Sequence, residues 1–209
     1  FDKINYGDII NYVDIGCHII KKNSLKFNQY LDFIKQDKNW ILPFQYHSNL
    51  DHNIKNISFP NRDERKYTKG DLLDYFDFYY DTKVTDSPQF WAGCFFIKKT
   101  NVSIKFLDEW LSIFEKNFRL IDDSPSVKKN LFGFQENRHD QSVYSLLCKK
   151  YDLKGFSAYE CEWAYLNNDR TWEHNKNYPI LAKRDLKYNI LTRFLKRQKK
   201  NLKRLFKLR

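Results

Sequence analysis

Apolar residues in this chain never run together long enough to cross a bilayer. Their period keeps changing, so short strand-like runs alternate with stripes at helical spacing. Ile9, Ile10, Tyr12 and Val13 follow Gly7-Asp8 and close at Asp14-Ile15-Gly16, which predicts a strand ending in a turn. Ser24 is expected to cap a helix with Leu25, Tyr30, Leu31 and Ile34 along one stripe. Residues 39–61, interrupted by Pro43 and Pro60, read as loop with one short strand near Trp40–Leu42. Thr68-Lys69-Gly70-Asp71 has capping-box spacing ahead of Leu72, Leu73 and Phe76. After the turn Asp86-Ser87-Pro88 comes a strand from Phe90 to Lys98, with Ala92-Gly93 near its start. Ile104, Leu107, Leu111 and Phe114 mark a helix over 101–118, ended by Asp122-Asp123-Ser124-Pro125. Asp140 is expected to cap a helix through Val143, Leu146 and Leu147 to Tyr151, and Phe156 to Leu166 to hold one strand.

Strands alternating with helices predict a layered α/β domain. The chain of 209 residues suits one core rather than two. Charges within residues 1–20 argue against a signal peptide. The chain opens on Phe1 and contains no methionine, which predicts that the gene product extends upstream of it.

The formal net charge of +11 would suggest a nucleic-acid binder if it were spread over a surface. It is not spread. Lys183 to Arg209 holds 12 of the 37 Lys and Arg and one of the 26 Asp and Glu, so the remainder is balanced at 25 of each. Residues 1–182 therefore form the expected domain and residues 183–209 a basic tail. Wound as a helix, the tail puts Leu186, Ile190, Leu191, Phe194, Leu195, Leu202, Leu205 and Phe206 on one face, with Lys187 intruding. Arg193, Lys196, Lys199, Lys200, Lys203 and Lys207 lie opposite. That pattern fits a helix lying on an anionic membrane surface, where each cation contributes roughly 1 kcal/mol. A nucleic-acid tail, or a helix docked on the domain, are the alternatives, and the neutral body offers nucleic acid no second basic stripe. The four cysteines lack C-x-x-C spacing, so they are expected to be reduced and mostly buried in a cytosolic protein.

Three stretches combine residue types that carry chemistry. Asp14 ends an apolar strand, the place where α/β sheets bind ligands, and a carboxylate there suits Mg²⁺ or Mn²⁺, although an Asp so placed before a Gly more often serves a plain turn. Trp91-Ala92-Gly93 offers an aromatic face for a sugar and small residues that let a backbone approach a ligand, or else serves strand packing alone. Arg138-His139-Asp140-Gln141 crowds a cation, a base and an amide at a helix start, more than an N-cap requires.

Taken in order, Gly7-Asp8-Ile9-Ile10, Tyr12-x-Asp14-x-Gly16-Cys17, Tyr67-Thr68-Lys69-x-Asp71-Leu72, Ala92-Gly93 with Lys98-Lys99-Thr100, and Arg138-His139-Asp140-Gln141-Ser142 resemble a group of bacterial glycosyltransferases. Those enzymes have the GT-A, nucleotide-diphospho-sugar transferase fold and build surface polysaccharide or lipooligosaccharide. The resemblance runs from about Tyr6 to Arg184. It implies a mixed sheet flanked by helices and transfer of a hexose from a nucleotide diphosphate sugar to a glycan or lipid-linked acceptor. It also implies a site at the inner face of the cytoplasmic membrane.

By the same resemblance Asp14 matches the first position of a D-x-D-type element that holds the donor diphosphate through a divalent metal. Gly16 stands at the second position, where it cannot ligate, with His18 the nearest substitute. Ala92, Gly93 and Gln141 would lie by the donor, and Trp91 and Arg138 by the acceptor. Asp140 and His139 would carry catalysis. Related enzymes place their base-binding strands ahead of the D-x-D element, so these strands are expected to be missing here. A carbohydrate- or partner-binding module without catalysis is the alternative function.

Overall fold

The computed structural model describes residues 1–50 and 53–183. Its centre is the strand β5 (Phe90–Lys98), in which only Lys98 is not buried. Strand β1 (Ile9–Val13) runs antiparallel along one side of it, from Ile9↔Lys98 to Val13↔Cys94. Strand β3 (Ile41–Gln45) runs antiparallel along the other side, and β6 (Phe156–Ser157) pairs parallel with β3. The resulting order β1-β5-β3-β6 makes a mixed sheet.

Helices cover both faces. On one, α5 (Asn101–Lys116) and α6 (Asp140–Lys150) bring Phe106 and Tyr144 against Phe95, with Tyr144 5.2 Å from Phe95. On the other, α1 (Ser24–Lys35) places Tyr30 edge-on to Phe44 at 5.3 Å. Each fully buried ring or aliphatic side chain of this kind contributes roughly 1.5–3 kcal/mol. The expected α/β layering is therefore present. The tail expected beyond Lys183 lies outside the described residues.

Several local expectations are corrected. Strand β3 does not stop before Pro43 but continues to Gln45. Its pairing jumps from Leu42↔Phe96 to Phe44↔Trp91, and Pro43, without an N–H, sits where the ladder is already broken. The N-cap of α1 is Asn23, whose amide bonds the carbonyls of Lys176 and Tyr178; Ser24 is the first helical residue. Thr68 does not cap either. Its hydroxyl donates to the buried Glu64 of α2 (Glu64–Tyr67), and α3 (Gly70–Tyr75) follows from an N-cap at Lys69. The capping box that does form lies at Thr100 and Ser103, ahead of α5. A further short helix, α4 (Thr82–Thr85), leads into β5.

The segment from Phe156 to Leu166 holds two strands rather than one. Besides β6 there is β7 (Ala164–Leu166), which pairs with β4 (Ile57–Ser58) and β8 (Asp169–Thr171) in a separate sheet. A two-stranded ladder joins β2 (Cys17–Ile19) to β9 (Ile180–Ala182).

Under α1, Glu160 is buried, accepts a hydrogen bond from Tyr30 Oη and meets Lys26 Nζ at 3.2 Å. Burial raises its carboxyl above the ordinary glutamate value, although the hydrogen bonds and the Lys26 charge pull the other way. In that window the folded state binds the proton more tightly than the unfolded chain, so stability falls as pH rises from the ordinary value toward the raised one. Denaturant midpoints across the acid range should show this fall in the native protein and lose it in Glu160→Gln. A fall of equal size in the variant would assign it to another group.

Candidate functional site

Because β1, β3 and β6 run in one direction, their carboxyl ends share one edge of the sheet, where β5 begins. Polar groups from distant parts of the sequence collect there. Asp14 follows β1 directly: its N–H donates to Gly93 O at 2.9 Å, and its carbonyl accepts from Cys17 N at 2.8 Å in the turn leading to β2. The exposed Asp14 carboxylate accepts a hydrogen bond from Tyr12 Oη at 2.9 Å, and the Tyr12 ring is stacked on Phe95 at 4.9 Å.

Asp140 opens α6 as an exposed carboxylate and is not its cap. Burial, the Asp14 hydrogen bond, the Asp14 charge and then the Asp140 charge push the Tyr12 phenol up to about 12. Two carboxylates far apart in sequence thus act on one phenol. In ¹³Cζ-tyrosine spectra the onset of Tyr12 ionisation should move to lower pH in Asp14→Asn and, by less, in Asp140→Asn. Identical onsets in Asp140→Asn and the native protein would put Asp140 out of reach of Tyr12.

The start of α6 is held under tension. His139 has φ 50° and ψ −116°, and Gln141 N bonds Arg138 O at 3.0 Å, which together describe a type II′ turn with a non-glycine residue where glycine is favoured. Such a residue costs on the order of 1–3 kcal/mol and persists only when its surroundings dictate it. Here His139 Nδ1 lies 2.6 Å from Ile121 O, which also accepts from Asn137 Nδ2 at 3.1 Å. Gln141 Nε2 donates to Gln89 Oε1 at 2.9 Å, and Gln89 in turn donates to Glu64 at 3.1 Å. His139 therefore points toward the Ile121–Asp123 segment and positions the turn. Both ring nitrogens face that segment, Nε2 lying 3.6 Å from the Asp123 carboxylate.

The other expected site residues fall into two groups. Gly93 bonds Asp14 through its backbone, and Gly16 lies in the adjoining turn. Trp91 and Ala92 are packing residues: Trp91 is 6% exposed, which leaves little ring face for a sugar, and Ala92 faces the α6 side of the core. The Trp91 indole lies where a side chain on Gly93 would be, 2.5 Å from a Cβ built there. Gly93→Ala should therefore destabilise by about 1–3 kcal/mol through overpacking, read as a lower urea midpoint; an unchanged midpoint would mean the indole moves freely. Arg138 packs on the Tyr67 ring at 5.0 Å and pairs with Glu136 at 2.8 Å. His18 Nε2 lies 3.1 Å from Lys183 O and so serves the β2–β9 ladder.

Four residues at this edge escape sequence reasoning: Tyr46, Arg62, Glu162 and Trp163. Arg62 stacks on Tyr46, Tyr67 and Trp163, and Glu162 raises the Tyr46 phenol after burial does. Cys17 carries no thiolate character, because burial, Cys94, Asp14 and Glu162 push its thiol up to about 12. All four cysteines are free, and three of them are buried.

No group of three or more His, Cys, Asp or Glu suited to a metal ion occurs among the described residues. Asp14 is an exposed carboxylate at this edge, and a lone oxygen donor of this kind suits Mg²⁺ or Mn²⁺ arriving with phosphates rather than a closed protein cage. A cleft of about 460 Å³ lies instead at the far end of α6, between Phe76, Glu109 and Lys150. It is about 15 Å along the helix from Asp140 and holds none of these groups. Among the described residues no helix is long and apolar enough to cross a membrane. No protein-family model, curated protein or solved structure matches the chain.

Proposed function

We propose that this protein is a glycosyltransferase of the GT-A type, moving a hexose from a nucleotide diphosphate sugar to a glycan or lipid-linked acceptor in the synthesis of cell-surface polysaccharide. One observation carries the reading. Asp14 and Asp140, the key residues of two stretches that bear the resemblance, flank one aromatic stack: Asp14 accepts from Tyr12 Oη, Tyr12 stacks on Phe95, and Phe95 stacks on Tyr144 of α6, the helix that Asp140 opens. Ligands of α/β sheets bind at such edges.

On this reading Asp140, exposed at the start of α6, takes the proton of the acceptor hydroxyl as its oxygen bonds the anomeric carbon and the bond to the diphosphate breaks. The N-terminus of α6 favours negative charge developing nearby. Asp14 would hold a divalent ion, which when bound neutralises phosphate oxygens of the leaving group. Gly16, Gly93 and Gln141 line the donor side, and Arg138 the acceptor side. The cationic tail would keep the enzyme at the inner face of the cytoplasmic membrane, raising its concentration near lipid-linked acceptors.

The test is release of nucleoside diphosphate from a panel of nucleotide sugars, with bacterial lipid and glycan extracts as acceptors and Mn²⁺ or Mg²⁺ present. Turnover of one donor supports the proposal. No turnover of any donor, with no heat on titrating nucleoside diphosphates, would leave a binding module as the better reading.

A further inference from the structure

Arg62 is unlike the other inward-facing cations of the molecule. Lys69, Lys149, Lys26 and Arg65 each meet a carboxylate, those of Asp122, Glu64, Glu160 and Asp86. Arg62 is half-buried and has no ion pair or side-chain hydrogen bond among the described residues. Its Nε is enclosed without a partner. The guanidinium rests instead among three rings, 5.3 Å from Tyr46, 5.6 Å from Tyr67 and 5.7 Å from Trp163. Arg138 packs on the same Tyr67 ring at 5.0 Å, and Arg170 on the same Trp163 ring at 4.2 Å. Three guanidinium groups are thereby linked through two shared rings.

The backbone fixes this run. Gln89 N donates to Arg62 O at 2.9 Å, and Asp63 bridges to Pro88, so Arg62 is tied to the start of β5 at the carboxyl edge. Stacking holds the plane of a guanidinium and leaves its N–H edge to form paired hydrogen bonds with phosphate oxygens. Glu162 lies nearby, since it and Arg62 act on the same Tyr46 and Tyr159 phenols, but it is not within ion-pair distance of Arg62. A half-buried cation held between rings without a close carboxylate is costly to the fold unless a mobile anion uses it. Three guanidinium groups in a run, of which Arg138 also pairs with Glu136 at the surface, suit a ligand with more than one negative group.

We propose that Arg62, flanked by Arg138 and Arg170 on the Tyr67 and Trp163 rings, is a receptor for the phosphate groups of an organic diphosphate. This rests on the transferase reading and deepens it: phosphate recognition comes from side-chain cations and does not require a metal ion. The diphosphate could belong to a nucleotide donor or to a lipid-linked acceptor.

The Trp163 indole, between Arg62 and Arg170, reports on the site, and residues 184–209 contain no tryptophan, so the basic tail cannot produce its signal. The ¹⁵N-tryptophan-labelled full chain would be titrated in EDTA with inorganic pyrophosphate, uridine diphosphate and farnesyl diphosphate. The indole signal is assigned through Trp163→Phe. A saturable shift is expected with pyrophosphate, at least tenfold weaker binding in Arg62→Gln, and several-fold weaker binding in Arg170→Glu, whose exposed position spares the fold. Lys154→Ala, which removes an exposed cation elsewhere, should change nothing. Tighter binding of uridine diphosphate than pyrophosphate would identify the donor as the source, and tighter binding of farnesyl diphosphate the lipid-linked acceptor.

Equal affinity in the native protein, Arg62→Gln and Arg170→Glu would overturn this inference while leaving the transferase reading intact. Absence of any Trp163 shift, with heat still released by uridine diphosphate, would do the same. Absence of both the shift and any heat from uridine diphosphate, the heat being measured with Mn²⁺ present, would remove the two together.

Discussion

Asp140→Asn is expected to lower hexose transfer at least a hundredfold while leaving the fold standing. A positioned general base contributes on the order of 10²–10⁴ in rate, and asparagine keeps the shape of the side chain but cannot take a proton. The Asp140 side chain is exposed, so the cost to stability is about 0.3–1 kcal/mol, from losing a negative charge at the start of α6. Asp14→Ala should act on the same scale if it steadies the leaving diphosphate. Initial rates beside thermal melts would separate the two effects. Near-native transfer by Asp140→Asn would refute its role as base.

The largest loss of stability is expected from Glu64→Ala, about 3–5 kcal/mol, against a typical total of about 5–15 kcal/mol. Glu64 is fully buried, accepts from Thr68, Ser145 and Gln89, and pairs with Lys149 at 3.0 Å. Alanine leaves Lys149, itself 8% exposed at the side chain, without its carboxylate, and leaves three neutral donors to find other partners. The same residues join α2, β5 and α6, so the start of α6 should loosen as well. Urea unfolding gives the number, and a double variant Glu64→Leu with Lys149→Met should recover part of it. A loss below about 1 kcal/mol in Glu64→Ala would mean that water replaces the carboxylate.

What the sequence made legible followed from local rules. Periods of two and of 3.6 gave β1, β5, α5 and α6 within a few residues. Pairing did not follow, because nothing local says that Ile9 lies opposite Lys98. Pro43 misled the reading of β3, since only the break in register, a property of two strands together, makes it tolerable. Helix starts misled in another way: Thr68 has the right chemistry for a cap but spends it on Glu64, and Asp140 stands one residue past the N-cap position, which His139 takes. At the site, Asp14 and Asp140 were found through short motifs. Arg62 was not, because it lies between the loop expected over 39–61 and the helix expected after Thr68, in no motif, and gains its meaning only from Tyr46, Tyr67 and Trp163. For Trp91 a sugar-stacking face and strand packing stayed open, because alternation along a strand does not say whether both faces are covered, and the structure buries the ring.

The central place of β5 has a consequence for biosynthesis. Chains emerge from the ribosome amino end first, and β1 and β3 both lack their ladder partner until Phe90–Lys98 has been made. The nascent segment ahead of it, with Ile9, Ile10, Leu42 and Phe44, must wait unpaired for some seconds, exposed to chaperones and to other growing chains. Assembly then depends on contacts between remote positions, which makes it slow. Synonymous codons that pause translation just before residue 90 would lengthen that interval and lower soluble yield without altering a single amino acid.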